Sequence, residues 1–291
     1  MTVNEAFEIY RSNLEITESE QEFAKKKNDE IRQVMREEFD LKEDFLTGSY
    51  KRHTKTKPLK DVDIFCVLNT TDKNINDFRK KEPDVILRKV EGVLKKKYSK
   101  VSKGWRSVEI EFGPSEKVVS FDIVPAFERK GRGYEIPDSP SKTWIGTDPT
   151  VHADKATEKN DELDGKWKPL VKMIKGWNRT QGKVIRPSFL IEVMALEIVD
   201  SAFTDYPWEL QSLFLNAANG IMKSWPDPAG LGPNVDSAMS GSDKLKASEA
   251  LKNAGVMAEK ARRLDNKGNT YEALKVWREL FGPYFPLKQM E

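Results

Sequence analysis

The feature that most constrains this chain is a pair of acids inside an apolar run, Lys60-Asp61-Val62-Asp63-Ile64-Phe65-Cys66-Val67-Leu68. Val, Ile and Phe favour a strand, and the strand period of two turns Asp61 and Asp63 to one face. Carboxylates on a half-buried strand are costly unless a cation compensates them. Two hard oxygen ligands side by side suit Mg²⁺. A third carboxylate, Asp122, stands in a second apolar run, Lys117-Val118-Val119-Ser120-Phe121-Asp122-Ile123-Val124-Pro125-Ala126. Ahead of the acid pair lies Thr47-Gly48-Ser49-Tyr50-Lys51-Arg52-His53-Thr54. Its Gly-Ser step falls where a strand should turn into a helix, so backbone N–H groups, the Ser49 hydroxyl and a helix N-terminus can face a phosphate. Alone, Gly-Ser usually marks a turn and Asp-x-Asp a loop end. Their order, strand, Gly-Ser, basic helix start, spacer and acid strand, points to a triphosphate held beside a divalent metal.

A coarse reading places these motifs in an α+β chain. Thr17-Glu18-Ser19-Glu20 forms a capping box ahead of a long helix near 18–39, with Ile31, Val34, Met35 and Phe39 on one face. Strand one is expected near Asp44–Leu46, a short helix from Ser49, and the acid strand through Leu68. A helix over 83–98 crosses to strands Ser107–Phe112 and Val118–Val124, joined by a turn at Gly113-Pro114. The result is a mixed sheet carrying all three acids. From Glu128 to Pro149 the chain is too rich in Gly, Pro, Ser and Asp for long regular elements. There the rings of Tyr134 and Trp144 can stack on a base or pin a loop to the core. Helices dominate after about residue 155, among them Leu163–Thr180, one opening at Pro187-Ser188-Phe189, and the hairpin Ser248–Leu264 and Thr270–Phe281.

Composition sets the outer limits. A chain of 291 residues can form two lobes, and its well-spread apolar residues argue for a folded protein although a third of it is charged. No apolar run reaches the length of a membrane span, and Met1–Phe7 has neither a basic nor an apolar leader pattern, so a cytoplasmic location is expected. The lone Cys66 excludes an intrachain disulfide and a cysteine zinc cluster, leaving a buried thiol. Net charge of +2 implies no whole-molecule attraction to nucleic acid. The basic segment from Arg79 to Arg106 is read as a solvated helix face, because Ile86, Leu87, Val90, Val93 and Leu94 supply an apolar stripe, in preference to a surface for duplex nucleic acid.

The order Gly48-Ser49 with Thr54, Asp61-Val62-Asp63 and Phe121-Asp122-Ile123-Val124-Pro125-Ala126 resembles nucleotidyltransferases of the DNA polymerase beta type. It is closer still to the bacterial CD-NTases, cyclic-oligonucleotide synthases related to animal cGAS and the oligoadenylate synthases. Trp144-x-x-Thr147-Asp148-Pro149 and the C-terminal run through Gly268, Trp277, Phe281-Gly282 and Phe285-Pro286 extend the resemblance from about residue 20 to the end. The resemblance implies a catalytic core with an N-terminal brace helix over 1–150 and a helical lobe over 151–291 that completes the nucleotide cleft. It implies two Mg²⁺ or Mn²⁺ ions held by Asp61, Asp63 and Asp122, which are also the catalytic residues. Nucleotide contacts fall to Gly48, Ser49, Lys175, Ser188 and Phe189. Without the resemblance, Lys175 reads as an exposed helix lysine, Ser188 as a residue near an N-cap and Phe189 as core.

Three acids around a triphosphate cradle describe phosphoryl transfer. The resemblance makes ATP and other NTPs the substrates and a cyclic di- or trinucleotide messenger the product, in anti-phage signalling read by a separate effector. A regulatory protein partner is possible within the family, and a nucleic-acid activator is the less favoured alternative. The same triad also serves enzymes that nucleotidylate proteins or extend RNA ends. A non-catalytic binding module is disfavoured because all three acids are present.

Overall fold

The computed structural model describes residues 1–71, 73–113, 119–200 and 202–287. The chain divides into two compact units. One, mainly helical, comprises Met1–Glu15, Asp154–Pro228 and Asn234–Glu291; the other, built on a sheet, comprises Ile16–Ala153 with Ala229–Pro233. The first fifteen residues, placed with the catalytic segment by the sequence reading, therefore cluster with the helices. They form α1 (Val3–Leu14), which the sequence reading did not assign and which Thr2 and Glu5 close with a capping box.

The sheet unit begins with α2 (Glu18–Glu38), capped by Thr17 and Glu20 as expected. It continues through β1 (Leu41–Leu46), the single turn α3 (Gly48–Lys51), β2 (Val62–Leu68), α4 (Lys73–Arg79) and α5 (Pro83–Lys95). Then come β3 (Val101–Lys103), β4 (Val108–Phe112), β5 (Val119–Glu128), β6 (Tyr134–Asp138) and β7 (Thr143–Thr147). The main sheet runs β1-β2-β5-β4-β3, with β2 and β5 parallel and the other neighbours antiparallel. This is the mixed sheet expected from the sequence. Its core joins Ile31, Val34 and Met35 of α2 and Ile86, Leu87, Val90 and Leu94 of α5 to Ile64, Cys66, Phe121 and Ile123 of the strands. Burial pushes the Cys66 thiol up to about 12, in keeping with a structural cysteine. The turn expected at Gly113-Pro114 runs into residues 114–118, outside the described residues.

One reading of the sheet unit is corrected. The segment after Glu128 is not merely loop: β6 and β7 pair as a hairpin, and β6 pairs with the far end of β5. Strands of five residues are short enough to coexist with the surrounding Gly and Pro. The basic segment is largely matched by acids, through Arg88–Asp84 (2.6 Å), Lys95–Glu91 (2.8 Å), Lys96–Glu38 (3.0 Å), Lys103–Asp84 (2.5 Å) and Arg106–Asp138 (2.7 Å). The solvated-face reading of that segment thus gains local pairing.

The helical unit contains α6 (Pro149–Glu162, from its Asp154 onward), α7 (Trp167–Thr180), α8 (Phe189–Ile198), α9 (Tyr206–Gly220), α10 (Gly241–Asn266) and α11 (Thr270–Phe281). The expected helix over Leu163–Thr180 starts later, at Trp167, because Asp164 and Gly165 take left-handed backbone angles (φ 50° and 79°). Helix α7 is the centre of this unit, buried almost all round, with Trp167, Leu170, Ile174 and Trp177 in the core. Phe7 and Tyr10 of α1 reach into the same core, where Phe7 meets Trp277 edge-on at 5.0 Å and Phe285 at 5.1 Å. Gly176 lets α1 lie close to α7, since a Cβ there would come within 2.5 Å of the Tyr10 hydroxyl oxygen. Among the described residues no helix is long and apolar enough to cross a membrane.

Candidate active site

Asp63 and Asp122 are register partners across the parallel pairing of β2 and β5. Register partners on neighbouring strands project from the same face, so the two carboxylates leave the sheet side by side. Asp61 differs from the expectation of a mid-strand pair. It lies one residue before β2, in the left-handed region (φ 56°), so strand alternation does not orient it. A hydroxyl does so instead. The Asp61 N–H donates to Ser120 Oγ (3.0 Å), and that hydroxyl donates back to Asp61 Oδ1 (2.9 Å). A second hydroxyl, Ser107 Oγ, donates to Asp122 Oδ1 at 2.6 Å.

The Gly-Ser turn abuts this cluster. The Thr47 N–H donates to the Asp63 carbonyl oxygen (3.0 Å), fixing the turn to β2. Gly48 has φ 62°, and a Cβ there would fall within the Asp63 carboxylate. Glycine is thus required twice, for backbone angle and for space. Ser49 follows, half-buried, in the single turn α3. The turn expected from the sequence is present, and it places Gly48 against the Asp63 carboxylate.

Electrostatics marks the cluster as short of positive charge. Burial, followed by the charge of Asp122, pushes the Asp63 carboxyl up to about 7, against the opposing effect of Arg52. Asp122 is raised as well, by burial and by Asp61, although the Ser107 hydrogen bond works the other way. Glu109, the register partner of Asp122 on β4, is raised by burial and then by Asp122 and Asp61. Acidic hard-oxygen donors crowded enough to resist ionisation fit a divalent cation. Among the described residues, no three acidic, imidazole or thiol side chains close on a single point as they stand. The carboxylates of Asp61 and Asp122 are instead held by their serines.

Lys175, Ser188 and Phe189 belong to the helical unit. Lys175 is not the exposed helix lysine that composition alone suggests: it is buried and bonded to buried Glu192 at 2.7 Å. Ser188 is exposed at the start of α8, where its side chain makes no capping bond, and Phe189 packs half-buried against the helical core. Lys172, one turn from Lys175, reaches Glu15 at 2.6 Å. Tyr134 and Trp144 take the core-pinning alternative. Tyr134 packs on Phe65 (5.2 Å) and donates to Glu43 (2.8 Å); Trp144 packs on Phe127 (5.0 Å) and donates to the Lys81 carbonyl (3.3 Å).

Sequence reasoning missed Ser107, Ser120 and Glu109 as neighbours of the acids. For Ser120 a signal existed, since it stands two residues before Asp122 on a strand and so on the same face. Ser107 and Glu109 come near through β4 pairing, which the local sequence does not specify.

A mixed sheet bearing abreast acids beside a Gly-Ser turn has the fold of the polymerase-beta-like nucleotidyltransferases. Residues 1–160 match the model of the Second Messenger Oligonucleotide or Dinucleotide Synthetase domain. The chain belongs to that family, and it is an enzyme of the cyclic-oligonucleotide synthase group. It is 30% identical over 261 residues to a cyclic AMP-AMP-AMP synthase from Acinetobacter sp., covering 83% of this chain and 72% of that one. Its fold resembles the CD-NTase CdnG of Bradyrhizobium diazoefficiens solved with GTP (TM-score 0.74, 13% identity, 96% and 94% of the two chains). It also resembles CdnC of E. coli MS115-1 in complex with HORMA-deltaN (TM-score 0.70, 16% identity, 97% and 98%). The family resemblance read from the sequence is borne out. Members of this family generally depend on a divalent metal.

Proposed function

We propose that this enzyme joins ATP, alone or with other NTPs, into a cyclic di- or trinucleotide and releases pyrophosphate, and that it does so at Asp61, Asp63 and Asp122. The observation that carries the site is the side-by-side placement of Asp63 and Asp122 with Gly48 against Asp63. Mg²⁺ or Mn²⁺, as two ions, would be held by the three carboxylates. When bound, such ions neutralise the triphosphate and make a ribose hydroxyl a better nucleophile.

The protein's own residues do the rest. The backbone of Gly48 and the Ser49 hydroxyl offer donors to the triphosphate from a turn fixed against β2. The acceptor hydroxyl oxygen forms a bond to the α-phosphorus while the bond to the β-phosphate oxygen breaks, and pyrophosphate leaves with that electron pair. Asp122, oriented by the Ser107 hydroxyl, takes the acceptor hydroxyl proton. The roles of Lys175, Ser188 and Phe189 in contacting nucleotide rest on the resemblance of their sequence. The relative named for cyclic AMP-AMP-AMP makes an adenine trinucleotide the first product to seek. A separate effector would read the product, and the HORMA-bound neighbour supports a regulatory protein partner.

The test is to incubate the purified chain with all four NTPs and Mg²⁺ or Mn²⁺, digest with phosphatase, and identify products by mass spectrometry beside Asp61→Asn/Asp63→Asn. A phosphatase-resistant cyclic product absent from the variant supports the reading. A labelled protein or RNA in place of a small product would overturn it.

A further inference from the structure

Asp61 has an unusual position for a metal-binding acid. It is the last residue of the segment between Arg52 and β2, it lies outside the strand ladder, and its backbone is left-handed (φ 56°), which a non-glycine residue adopts at a cost of about 1 kcal/mol or more. Something must hold both its backbone and its carboxylate. Ser120 meets both needs with one oxygen. An amide can only donate and an ionised carboxylate can only accept. Ser120 Oγ therefore accepts from the Asp61 N–H at 3.0 Å and sends its single proton to Asp61 Oδ1 at 2.9 Å. Ser120 is 2% exposed, so water cannot easily replace it in either role.

The placement in the sheet is equally specific. Val62 pairs with Phe121 and Asp63 with Asp122, so Ser120 occupies the β5 position that the residue before Val62 would face if β2 continued. The hydroxyl fills the place where the ladder stops. By strand alternation it also shares a face with Asp122, two residues along. One strand thus carries an acid of the cluster and the group that fixes another. Through Ser120, β5 bears on where the Asp61 carboxylate stands, along with the loop that delivers it.

We propose that Ser120 is a positioning residue for the metal site, acting through Asp61: its hydroxyl presents the remaining Asp61 oxygen to the cation. The proposal rests on the reading of Asp61, Asp63 and Asp122 as the metal ligands. Hydrogen-bonding partners behind metal ligands are worth about 10–100-fold in metal affinity. Glu109 also lies within reach of the Ser120 hydroxyl, and the test must separate the two acids.

The experiment measures Mn²⁺ affinity of the full chain by electron paramagnetic resonance, for wild type, Ser120→Ala, Asp61→Ala, the double variant and Glu109→Gln, with metal-free melting temperatures alongside. Ser120→Ala is expected to weaken Mn²⁺ binding about tenfold. The same change is expected to cost nothing further once Asp61 is Ala, and Glu109→Gln to stay near wild type. Should Ser120→Ala melt early, Ser120→Thr against Ser120→Val isolates the hydroxyl, because those two have the same shape; Thr is then expected to bind Mn²⁺ about tenfold more tightly than Val. Wild-type affinity in Ser120→Ala, or equal affinity for Thr and Val, overturns the proposal. So does an equal loss with and without Asp61, or a tenfold loss in Glu109→Gln. If wild type binds no better than Asp61→Ala, the metal reading fails together with the proposal.

Discussion

Asp63 on β2 and Asp122 on β5 stand abreast in a parallel ladder, and the charge of Asp122 adds to the burial that already opposes ionisation of Asp63. In the metal-free protein this is a local conflict, because burial and like charge both oppose ionisation. Asp63→Asn is therefore expected to raise the melting temperature of the metal-free chain by a few degrees, abolish the further rise that Mg²⁺ or Mn²⁺ gives the wild type, and cut turnover about a thousandfold or more. Differential scanning fluorimetry with and without metal, beside the nucleotide assay, reads all three. A melting temperature that falls without metal would contradict the charge argument.

Gly48→Ala should be far more damaging than its size suggests. It puts a methyl group into the Asp63 carboxylate and forces alanine to a left-handed backbone. A cost of at least about 1 kcal/mol and a loss of about a hundredfold in activity are expected, since displacement of about 1 Å at a reacting site is worth that much. Gly92→Ala is the control. Gly92 has open space around it and lies inside α5, so alanine should be neutral or stabilise by up to about 1 kcal/mol.

The buried Lys175–Glu192 pair complicates any reading of Lys175 variants. Removing the lysine alone breaks a buried ion pair in the core of the helical unit, an expected loss of about 3–5 kcal/mol. Lys175→Met/Glu192→Leu removes both charges and should recover most of that stability by chemical denaturation. If the lysine contacts nucleotide, the double variant stays inactive although it is folded; recovery of activity would show the pair to be structural.

Asp236 contributes a pH dependence to the helical unit. Burial alone would raise its carboxyl, but hydrogen bonds from Lys244 and the Trp225 N–H outweigh burial and hold it below the usual carboxylate range. A carboxyl lowered in the folded state binds its proton more readily when unfolded. It therefore contributes stability above the ordinary carboxylate pKa of about 4, and that stability is lost as pH falls through the folded value. Asp236→Asn should melt lower than wild type at neutral pH, with the gap narrowing below about pH 4. A constant gap across that range would exclude the ionised pair as its source.

The local grammar of the chain was legible where it depends on neighbours in sequence. The Thr17 capping box, the Gly48 turn, the apolar β2 run and the hairpin ending in Thr270–Phe281 are all short-range signals, and all appear. What sequence could not show is set by pairing. The β6–β7 hairpin hides in a Gly- and Pro-rich stretch, and the placement of Glu109 opposite Asp122 depends on register between strands. Asp61 is the instructive case. Alternation counted back from Asp63 would put it on the strand, yet the ladder ends at Val62 and a serine from β5 takes over. The partner of Lys175 lies seventeen residues away on another helix, a distance no helical periodicity links.

The ion pairs that line the basic segment carry a consequence for polyanions. Binding to a nucleic-acid backbone is driven largely by release of the counterions condensed on it, one for each phosphate that a protein cation neutralises. Arg88, Lys95, Lys96, Lys103 and Arg106 are paired with Asp84, Glu91, Glu38 and Asp138, Asp84 serving both Arg88 and Lys103. Pairing with these acids leaves less positive charge to exchange for counterions. Contact of this face with duplex DNA or RNA should accordingly be weak, and its dependence on salt concentration shallower than the count of lysines and arginines along the segment would suggest.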